Sequence, residues 1–222
     1  MGVEVEVGGV EAEMAISGAL TTPGTDKPLA ILDMGAGSTD ASSMTKEGVI
    51  KPVHLAGAGN MVTLLIQTEL GLDSFDLAED IKKYPLAKAE SLFHIRHEDG
   101  TVEFFNESLD PKLFSRVIII KEDEMIPINM QLSIEKIKLV RKEAKKKVFV
   151  TNALRALKQV SLTGDIRGIE HVVLVGGSAL DFEVPQLVTD ALSQFGVVAG
   201  RGNIRGCEGP RNAVATGLVL GR

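Results

Sequence analysis

Residues 31–42, with the sequence ILDMGAGSTDAS, constrain the fold of this chain more than any other stretch. An apolar run ends at Asp33, two glycines flank an alanine, and a Ser-Thr pair then leads to Asp40. Three short runs with strand composition, separated by turn residues, occupy positions 29–34, 38–44 and 49–55. The pattern predicts an antiparallel meander whose first connection is a tight glycine turn.

This glycine turn has the composition of a phosphate-binding loop. A backbone stripped of Cβ atoms lets consecutive N–H groups approach an anion, and neighbouring hydroxyls add donors. The carboxylates of Asp33 and Asp40 suit Mg²⁺, because a phosphate chain and a carboxylate can share its coordination shell, often through water. The turn lacks both the G-K-[ST] ending of a P-loop and the G-x-G-x-x-G spacing of a dinucleotide fold. A plain hairpin with polar turn residues therefore stays open as the alternative.

Two further glycine elements follow along the chain. Gly57, Gly59 and Asn60 stand where a strand passes into a helix, and a helix N-terminus attracts anions through its free N–H groups and dipole. The second element, Gly176-Gly177-Ser178, ends the apolar run VVLV and leaves room for a flat base or a ribose against the backbone. Either element alone could be only a tight turn.

The remaining pattern is mixed helix and strand. Helical periodicity predicts a helix over 59–70 that ends at Gly71, and a long charged helix over 133–160 with Ser133 as its N-cap. Between them we expect a helix, a hairpin and a strand, at 76–91, 91–105 and 116–120. The apolar run at 172–175 predicts a further strand, and the Ala/Gly-rich run at 208–220 predicts a close-packed final helix.

Composition excludes several classes of protein. The chain has 222 residues, a formal net charge of −6 and 44% hydrophobic residues, which favours a globular protein and argues against a nucleic-acid partner. Its single cysteine, Cys207, rules out an internal disulfide and fits a reducing cytosol. No apolar run is long enough to span a bilayer, so we expect no membrane partner.

The glycine elements in their order carry a resemblance. The stretches GVEAEMAISGALTTPGTDKPLAILDMGAGSTDAS, HLAGAGNMV, VLVGGSALDFEVPQL and EGPRNAVATG resemble the second half of an ATPase of the actin, sugar-kinase and heat-shock chaperone superfamily. Within it, YPLAKAESLFHIRHEDG, VFVTNALRALKQVS and VAGRGNIRGCEGPRNAVATGL are similar to the large subunit of the diol or glycerol dehydratase reactivating factor. The resemblance covers nearly the whole chain.

The resemblance implies a fold and a set of site residues. We expect an α/β actin-like lobe of the ribonuclease-H-like kind over 1–72 and 131–222. Its mixed sheet would contain the meander and the strand at 172–175, with helices on both faces. An inserted α+β subdomain would occupy 73–130. The implied catalytic residues are Asp33 and Glu11, with Glu13 as the alternative to Glu11, and the implied Mg²⁺ ligands are Asp33 and Asp40. The implied ATP or ADP contacts are Gly35, Ala36, Gly37, Ser38, Thr39, Gly57, Gly59, Asn60, Glu79, Asp80, Lys88, Gly176, Gly177, Ser178 and Arg211.

Two positions depart from the superfamily pattern. Arg211 stands where an acid near the ribose is common, which puts that contact in question. Ala36 replaces the middle glycine of the commoner loop, which requires a negative φ at that residue. The superfamily's first lobe, with its own phosphate loop, has no counterpart before Gly9, so we expect this chain to be a fragment that carries half of the nucleotide site.

The implied function is that of an ATP-dependent chaperone subunit. It would release damaged cobalamin from a diol or glycerol dehydratase and act as a cytoplasmic or microcompartment hetero-oligomer with a small reactivase subunit. A metabolite kinase of the same fold is the alternative, and its general base would lie largely on the other lobe. A scaffold protein that binds no nucleotide is a third possibility.

Overall fold

The computed structural model describes residues 11–22, 29–44, 49–122 and 124–220. The chain divides into two compact units: Met1–Asn60 with Lys146–Arg222 form the first, and Met61–Lys145 form the second. In the parts of the chain that the structure describes, no helix has the length and apolar character needed to cross a membrane.

The two units contain ten strands and seven α-helices among the described residues. The strands are β1 (Ala30–Met34), β2 (Ser38–Met44), β3 (Ile50–Ala56), β4 (Leu86–Ala89), β5 (His94–His97), β6 (Val102–Phe104), β7 (Val117–Lys121), β8 (Glu124–Pro127), β9 (His171–Val175) and β10 (Val198–Arg201). The helices are α1 (Glu11–Ala19), α2 (Gly59–Leu70), α3 (Phe75–Lys83), α4 (Ile134–Lys145), α5 (Thr151–Val160), α6 (Val184–Ser193) and α7 (Ala213–Leu220).

The first unit is built on a five-stranded mixed sheet in the order β10-β9-β1-β2-β3. β1, β2 and β3 pair antiparallel, which confirms the predicted meander. β9 runs parallel to β1, with Leu174 opposite Leu32, and β10 runs parallel to β9. The predicted strand at 172–175 therefore joins this sheet, and the predicted mixed character is confirmed.

Both faces of this sheet are buried under helices. Ile31 and Val173 belong to a core cluster with Ile16 of α1 and Ala213 of α7. Side chains alternate along a strand, so the neighbouring residue Leu32, which is fully buried, points to the opposite face. There α5 packs against β1, β2 and β3, and the Ser43 hydroxyl donates to a main-chain carbonyl of that helix at 2.8 Å.

Helices α1 and α7 approach closely because each presents a glycine at the contact. A Cβ on Gly18 would lie 2.6 Å from the carbonyl carbon of Ala213. A Cβ on Gly217 would lie 2.6 Å from the carbonyl carbon of Met14. Real Cβ atoms do not come so close to backbone, so the contact excludes any larger residue at these two positions. The predicted close-packed terminal helix is confirmed, with its bounds at Ala213–Leu220.

The second unit contains an antiparallel sheet in the order β6-β5-β4-β7-β8. The predicted helix over 76–91 is wrong in its second half, because α3 ends at Lys83 and the chain then forms the central strand β4. Pro85 explains the change: its ring disfavours helical geometry in the preceding residue, and Tyr84 is extended at φ −118° and ψ 150°. The hairpin of β5 and β6 and the strand β7 were predicted and are confirmed.

A buried ion pair connects α4 to the β5–β6 hairpin within this unit. The guanidinium of Arg141 is fully buried and donates to both carboxylate oxygens of Glu98 at 2.9 Å. The same guanidinium donates to the Tyr84 carbonyl at 3.3 Å, just past the end of α3. Pairing and hydrogen bonding make a buried charge tolerable, and this one links three segments of the unit.

The helix predicted over 133–160 is present, with a change of pitch in its middle. Ser133 accepts a hydrogen bond from the amide of Lys136 at 3.2 Å, which confirms the predicted N-cap. Between α4 and α5 the residues Lys146–Val150 form a π-helical segment. A single π-helical turn does not visibly change the spacing of apolar residues along a helix. The sequence therefore predicted one uninterrupted helix.

Candidate functional site

The glycine turn of the first unit is a two-residue hairpin loop at the carboxyl end of β1. The amide of Gly35 donates to the Ser38 carbonyl at 3.0 Å, which places Ala36 and Gly37 at the exposed tip. The Ala36 and Gly37 amides make no hydrogen bond with any other described residue. Ala36 does not have a positive φ, so the loop is compatible with an alanine at the position where the superfamily usually has glycine. Two consecutive N–H groups are thus available to a ligand.

The turn before α2 lies directly against this loop. The amides of Gly57, Gly59 and Asn60 donate to the carbonyls of Gly37, Gly35 and Ala36 at 2.9, 3.2 and 2.8 Å. Gly57 has a φ of 97°, a conformation that glycine adopts at little cost. These three predicted ligand contacts therefore support the loop with their N–H groups in this structure.

Two buried side chains hold the same turn, and one of them was not foreseen from sequence. The Asn152 side chain on α5 donates to the Gly57 carbonyl at 2.8 Å and to the Ala56 carbonyl at 3.3 Å. The Thr39 hydroxyl donates to the Gly57 carbonyl at 3.0 Å, so it is engaged within the protein. The only sequence signal for Asn152 was its position: an asparagine at helical spacing from the apolar residues Ala156 and Val160, where an apolar residue is expected.

The second glycine loop, after β9, also meets the first. Gly176 has a φ of 88°, and a Cβ there would collide with the Asp33 carboxylate and lie 2.7 Å from the Met34 carbonyl oxygen. The Ser178 hydroxyl donates to the Gly35 carbonyl at 3.1 Å. Strands β1 and β9 are parallel neighbours, so their carboxyl ends, and the loops that follow, lie side by side.

Arg211 lies beside this second loop. A Cβ built on Gly177 would lie 3.8 Å from a guanidinium nitrogen of Arg211. The amide of Gly176 donates to the Pro210 carbonyl at 3.0 Å, which fixes the segment carrying Arg211. The structure thus brings Gly176, Gly177, Ser178 and Arg211 together at the same end of the sheet as the first loop.

A row of titratable side chains crosses the meander below the glycine turn. Asp33 on β1 is opposite Asp40 on β2, and Asp40 is opposite His54 on β3. His54 contacts one Asp40 oxygen through Nδ1, and the Ser38 hydroxyl donates to the other Asp40 oxygen at 2.8 Å. Paired residues on antiparallel strands project from the same face, so these three side chains share one surface.

That surface is the wall of a cavity of about 270 Å³ in the first unit. Glu11 and Ala15 of α1 cover it, and its other lining residues are Ile31, Asp33, Asp40, Ala41, Ser42, Pro52, Val53 and His54. Burial, reinforced by the negative charges of Asp40 and Glu11, raises the pKa of Asp33 from its usual 3.8 to about 6. The raised pKa shows that the negative charge here lacks compensation.

The donor set fits a divalent cation only in part. Carboxylate oxygens are the ligands that Mg²⁺ prefers, and Asp33 and Asp40 supply them at the base of the glycine turn. Within the described ranges, however, no three carboxylate, imidazole or thiolate groups converge into a metal cage. Mg²⁺ keeps several waters and is commonly shared with substrate phosphates, so a partial protein shell is compatible with it.

The remaining predicted contacts lie in the second unit. Glu79 on α3 receives hydrogen bonds from Thr63, Lys82 and Lys83. Burial alone would raise the pKa of Glu79, but these three donors outweigh it and hold the pKa at about 2. Asp80 pairs with Lys121 at 3.2 Å, and Lys88 projects from the exposed face of β4. A nucleotide contact by Glu79, Asp80 or Lys88 stays a prediction.

Comparison with known proteins places this arrangement in a family. The model of the diol dehydratase reactivase ATPase-like domain matches residues 1–222. The chain is 66% identical over 220 residues to the propanediol dehydratase-reactivating factor large subunit of Citrobacter freundii. The alignment covers 99% of this chain and 36% of that relative. It therefore spans about a third of the length of the curated relatives it matches.

Solved structures agree. A glycerol dehydratase reactivase superposes with a TM-score of 0.92 at 70% identity, over 98% of this chain and 36% of that one. MreB5 of Spiroplasma citri bound to ADP superposes with a TM-score of 0.56 at 23% identity, over 96% of this chain and 58% of that one. The second likeness confirms the predicted actin-like fold. With the family model and the relatives in agreement, the chain belongs to the diol dehydratase reactivase ATPase-like domain family.

Proposed function

We propose that this chain forms the part of an ATP-driven reactivating factor that grips the phosphates of the nucleotide. The single observation that carries the proposal is the pair of free amides at Ala36 and Gly37, set beside the partly buried Asp33. Amides supply fixed partial positive charge to phosphate oxygens, while a carboxylate supplies a ligand for the accompanying cation. Few other ligands need both at one turn.

Each residue of the site has a distinct task in this proposal. The Ala36 and Gly37 amides donate to terminal phosphate oxygens, and Gly57, Gly59 and Asn60 keep the loop in shape. Asp33, with Asp40 and Glu11 around it, orients a water molecule and accepts a proton from it when the Asp33 carboxyl group is deprotonated. A bound Mg²⁺ would neutralise phosphate charge beside Asp33 and Asp40.

The second glycine loop is suited to the sugar and base. Gly176 and Gly177 offer a surface without side chains, and Arg211 beside them is exposed. Because the Ser178 hydroxyl donates a hydrogen bond to the Gly35 carbonyl, a movement of the phosphate turn would also displace this loop. Such a link matters for a nucleotide-driven machine, whose ligands must bind two conformations with different affinity.

The client and the partner are assigned from the relatives. Those proteins are named large subunits of factors that reactivate diol, propanediol or glycerol dehydratases. We propose that the protein containing this chain likewise acts in the cytoplasm on a cobalamin-dependent diol or glycerol dehydratase. It would release the damaged cofactor together with a small reactivase subunit, in a hetero-oligomer.

The test uses the protein at the length of its relatives, with its small subunit and an inactivated dehydratase. Asp33→Asn should abolish Mg²⁺-dependent ATP hydrolysis and dehydratase reactivation, because it removes the charge next to the phosphates. Asp190→Asn is the matched control, since Asp190 is an exposed acid on α6 whose carboxylate accepts only from Gln186 among the described residues. Full activity of the Asp33 variant would contradict the proposal, and phosphorylation of a small alcohol without reactivation would favour the kinase alternative.

The 222-residue chain by itself gives a second measurement. The described residues supply one phosphate loop. Two phosphate loops that contact the same nucleotide bind it far more tightly than one loop alone. We expect calorimetry to show binding of Mg-ADP with a Kd well above micromolar and no hydrolysis above background. Tight binding or clear turnover would show that the site is complete within these residues.

A further inference from the structure

The second unit contains a cavity of its own, of about 430 Å³. It opens where β4, β7 and the start of α4 meet, and its lining residues are Lys88, Phe114, Ser115, Arg116, Val117, Ile128, Asn129, Met130, Gln131, Leu132, Ser133, Ile134 and Glu135. All of them belong to the second unit. The volume is in the range of small-molecule sites. Apart from Lys88, whose contact with a nucleotide stays a prediction, none of its lining residues has a role in the proposed nucleotide chemistry.

Two cations in this lining have no acid partner. The Lys88 side chain makes no hydrogen bond or ion pair with any described residue, and the Arg116 guanidinium donates only to the Asn129 side chain. Two other cations of the unit are paired by contrast: Arg96 with Glu90, and Lys121 with Asp80. Both side chains line the cavity: Lys88 on β4 is opposite Val117, the first residue of β7, and Arg116 directly precedes Val117. Their positive charges are therefore free to act on a ligand.

The backbone that carries Arg116 is held in an uncommon conformation. Ser115 has a φ of 62°, which side chains other than glycine rarely adopt, yet its amide is bonded to the Ala89 carbonyl at 2.9 Å. Local strain of this kind persists where the surrounding structure imposes it, and it is concentrated at ligand-binding positions. Asn129 then fixes the guanidinium itself, so Arg116 is oriented before any ligand arrives.

Several other lining residues are apolar. Phe114 is 54% exposed and Met130 is 38% exposed, although both are large hydrophobic residues, and Val117 and Ile128 are buried. One acid, Glu135, also lines the cavity, in the first turn of α4. Two cations against one acid leave a net positive lining next to a hydrophobic surface.

We propose that this cavity binds a small organic anion, with its carboxylate or phosphate group between Lys88 and Arg116. Its apolar body lies on Phe114 and Met130. Arg116 supplies directed donors and Lys88 a point charge, while Glu135 disfavours ligands that carry two separated acids. The apolar wall selects against inorganic anions, which offer nothing to bury there.

The experiment titrates the 222-residue chain, labelled at its methionine methyl groups, with phenylacetate and with phenyl phosphate. The Met130 methyl resonance reports the cavity, and that of Met34, next to the glycine turn, reports the nucleotide site. We expect both anions to shift Met130, and the neutral analogue 2-phenylethanol to bind about tenfold more weakly than phenylacetate. Phenyl phosphate alone should also affect Met34, which separates this proposal from the nucleotide site.

Variants locate the anion. Lys88→Gln and Arg116→Gln should each weaken phenylacetate binding about tenfold without unfolding the chain, because both side chains are exposed. Lys142→Gln is the matched control, since Lys142 is an exposed lysine on α4 outside the lining and should change nothing. An unshifted Met130, equal binding of the neutral analogue, or the same affinity in all three variants would overturn the proposal.

Discussion

The α-carbon of Gly176 lies directly against the carboxylate of Asp33, with no room for a side chain between them. The two residues are far apart in sequence and belong to different loops, but parallel pairing of β1 with β9 brings their strand ends together. The carboxylate nearest the proposed phosphates is thus positioned by the loop proposed to hold the sugar.

Replacing Gly176 with alanine should destabilise the first unit in two ways. Its φ of 88° and ψ of 172° lie in a region that is essentially restricted to glycine, which costs a residue with a side chain about 1–3 kcal/mol. The new methyl group would also press on Asp33 and the Met34 carbonyl, which adds about 1–3 kcal/mol for overpacking. Urea denaturation measures the sum.

Gly196→Ala is the control for a glycine with positive φ but without a steric contact. Gly196 has a φ of 76°, but no atom lies within 4 Å of its ideal Cβ position. We therefore expect only the backbone cost, about 1–2 kcal/mol. Equal destabilisation by the two substitutions would show that the contact with Asp33 is loose.

Gly217→Ala should reverse the usual sign of a glycine substitution in a helix. Alanine normally stabilises a helix interior by about 1 kcal/mol relative to glycine. At Gly217 the methyl group would meet the backbone of Met14 and force α1 and α7 apart, so we expect a net loss of about 1–3 kcal/mol in the free energy of unfolding. Gly200→Ala, where the Cβ position is open, is the control and should have little effect. Stabilisation of the Gly217 variant in thermal melts would contradict the close packing.

The sequence predicted the glycine turn and its acids well, because they are local. Hairpin geometry follows from residues a few positions apart, so the pairing of Asp33 with Asp40 could be derived from the strand pattern. The resemblance placed Gly176 and Asp33 in one nucleotide site but did not predict their contact, since no local rule specifies which strands become parallel neighbours. Asn152 escaped prediction for the same reason: its acceptor at Gly57 is 95 positions away.

Strand β4 shows the opposite difficulty, a local signal that misled. Residues 86–89 are rich in alanine and continue the charged pattern of α3, which favours a helix. Pro85 carried the better information, because it separates the two segments, and burial at the centre of a sheet then outweighed helix propensity. The π-helical segment Lys146–Val150 likewise depends on tertiary packing, and its apolar period resembles that of an ordinary helix.

Glu98→Gln should destabilise the second unit strongly, because it leaves the buried guanidinium of Arg141 without a carboxylate. Loss of one partner of a buried ion pair costs about 3–5 kcal/mol. The matched control is Glu90→Gln, which breaks the exposed pair with Arg96 and should have little effect. Hydrogen exchange of the β5 amides reports the stability of this unit directly, and equal protection in the two variants would show that the Arg141 pair contributes nothing.

The raised pKa of Asp33 predicts a stability penalty that appears as the pH rises. In the folded protein the pKa is about 6, above the usual 3.8, so between these values the folded state holds a proton that the unfolded state has lost. The contribution of Asp33 to the free energy of unfolding therefore falls as the pH rises from below 4 to above 6, and stays low at neutral pH. Since Asp33 is partly accessible, we expect a penalty of about 1–2 kcal/mol after solvent screening.

Asp33→Asn isolates this penalty from the other titrating groups. Asparagine keeps the shape of the side chain but removes the charge that burial, Asp40 and Glu11 oppose. Without nucleotide the variant should match the wild-type protein at pH 4 and exceed its stability at pH 7, when both are unfolded in urea across that range. Because the same charge is what the proposed Mg-nucleotide needs, ADP with Mg²⁺ should stabilise the wild-type protein more than the variant above pH 6. A stability difference independent of pH would mean that Asp33 titrates normally, and that its charge is already compensated without a ligand.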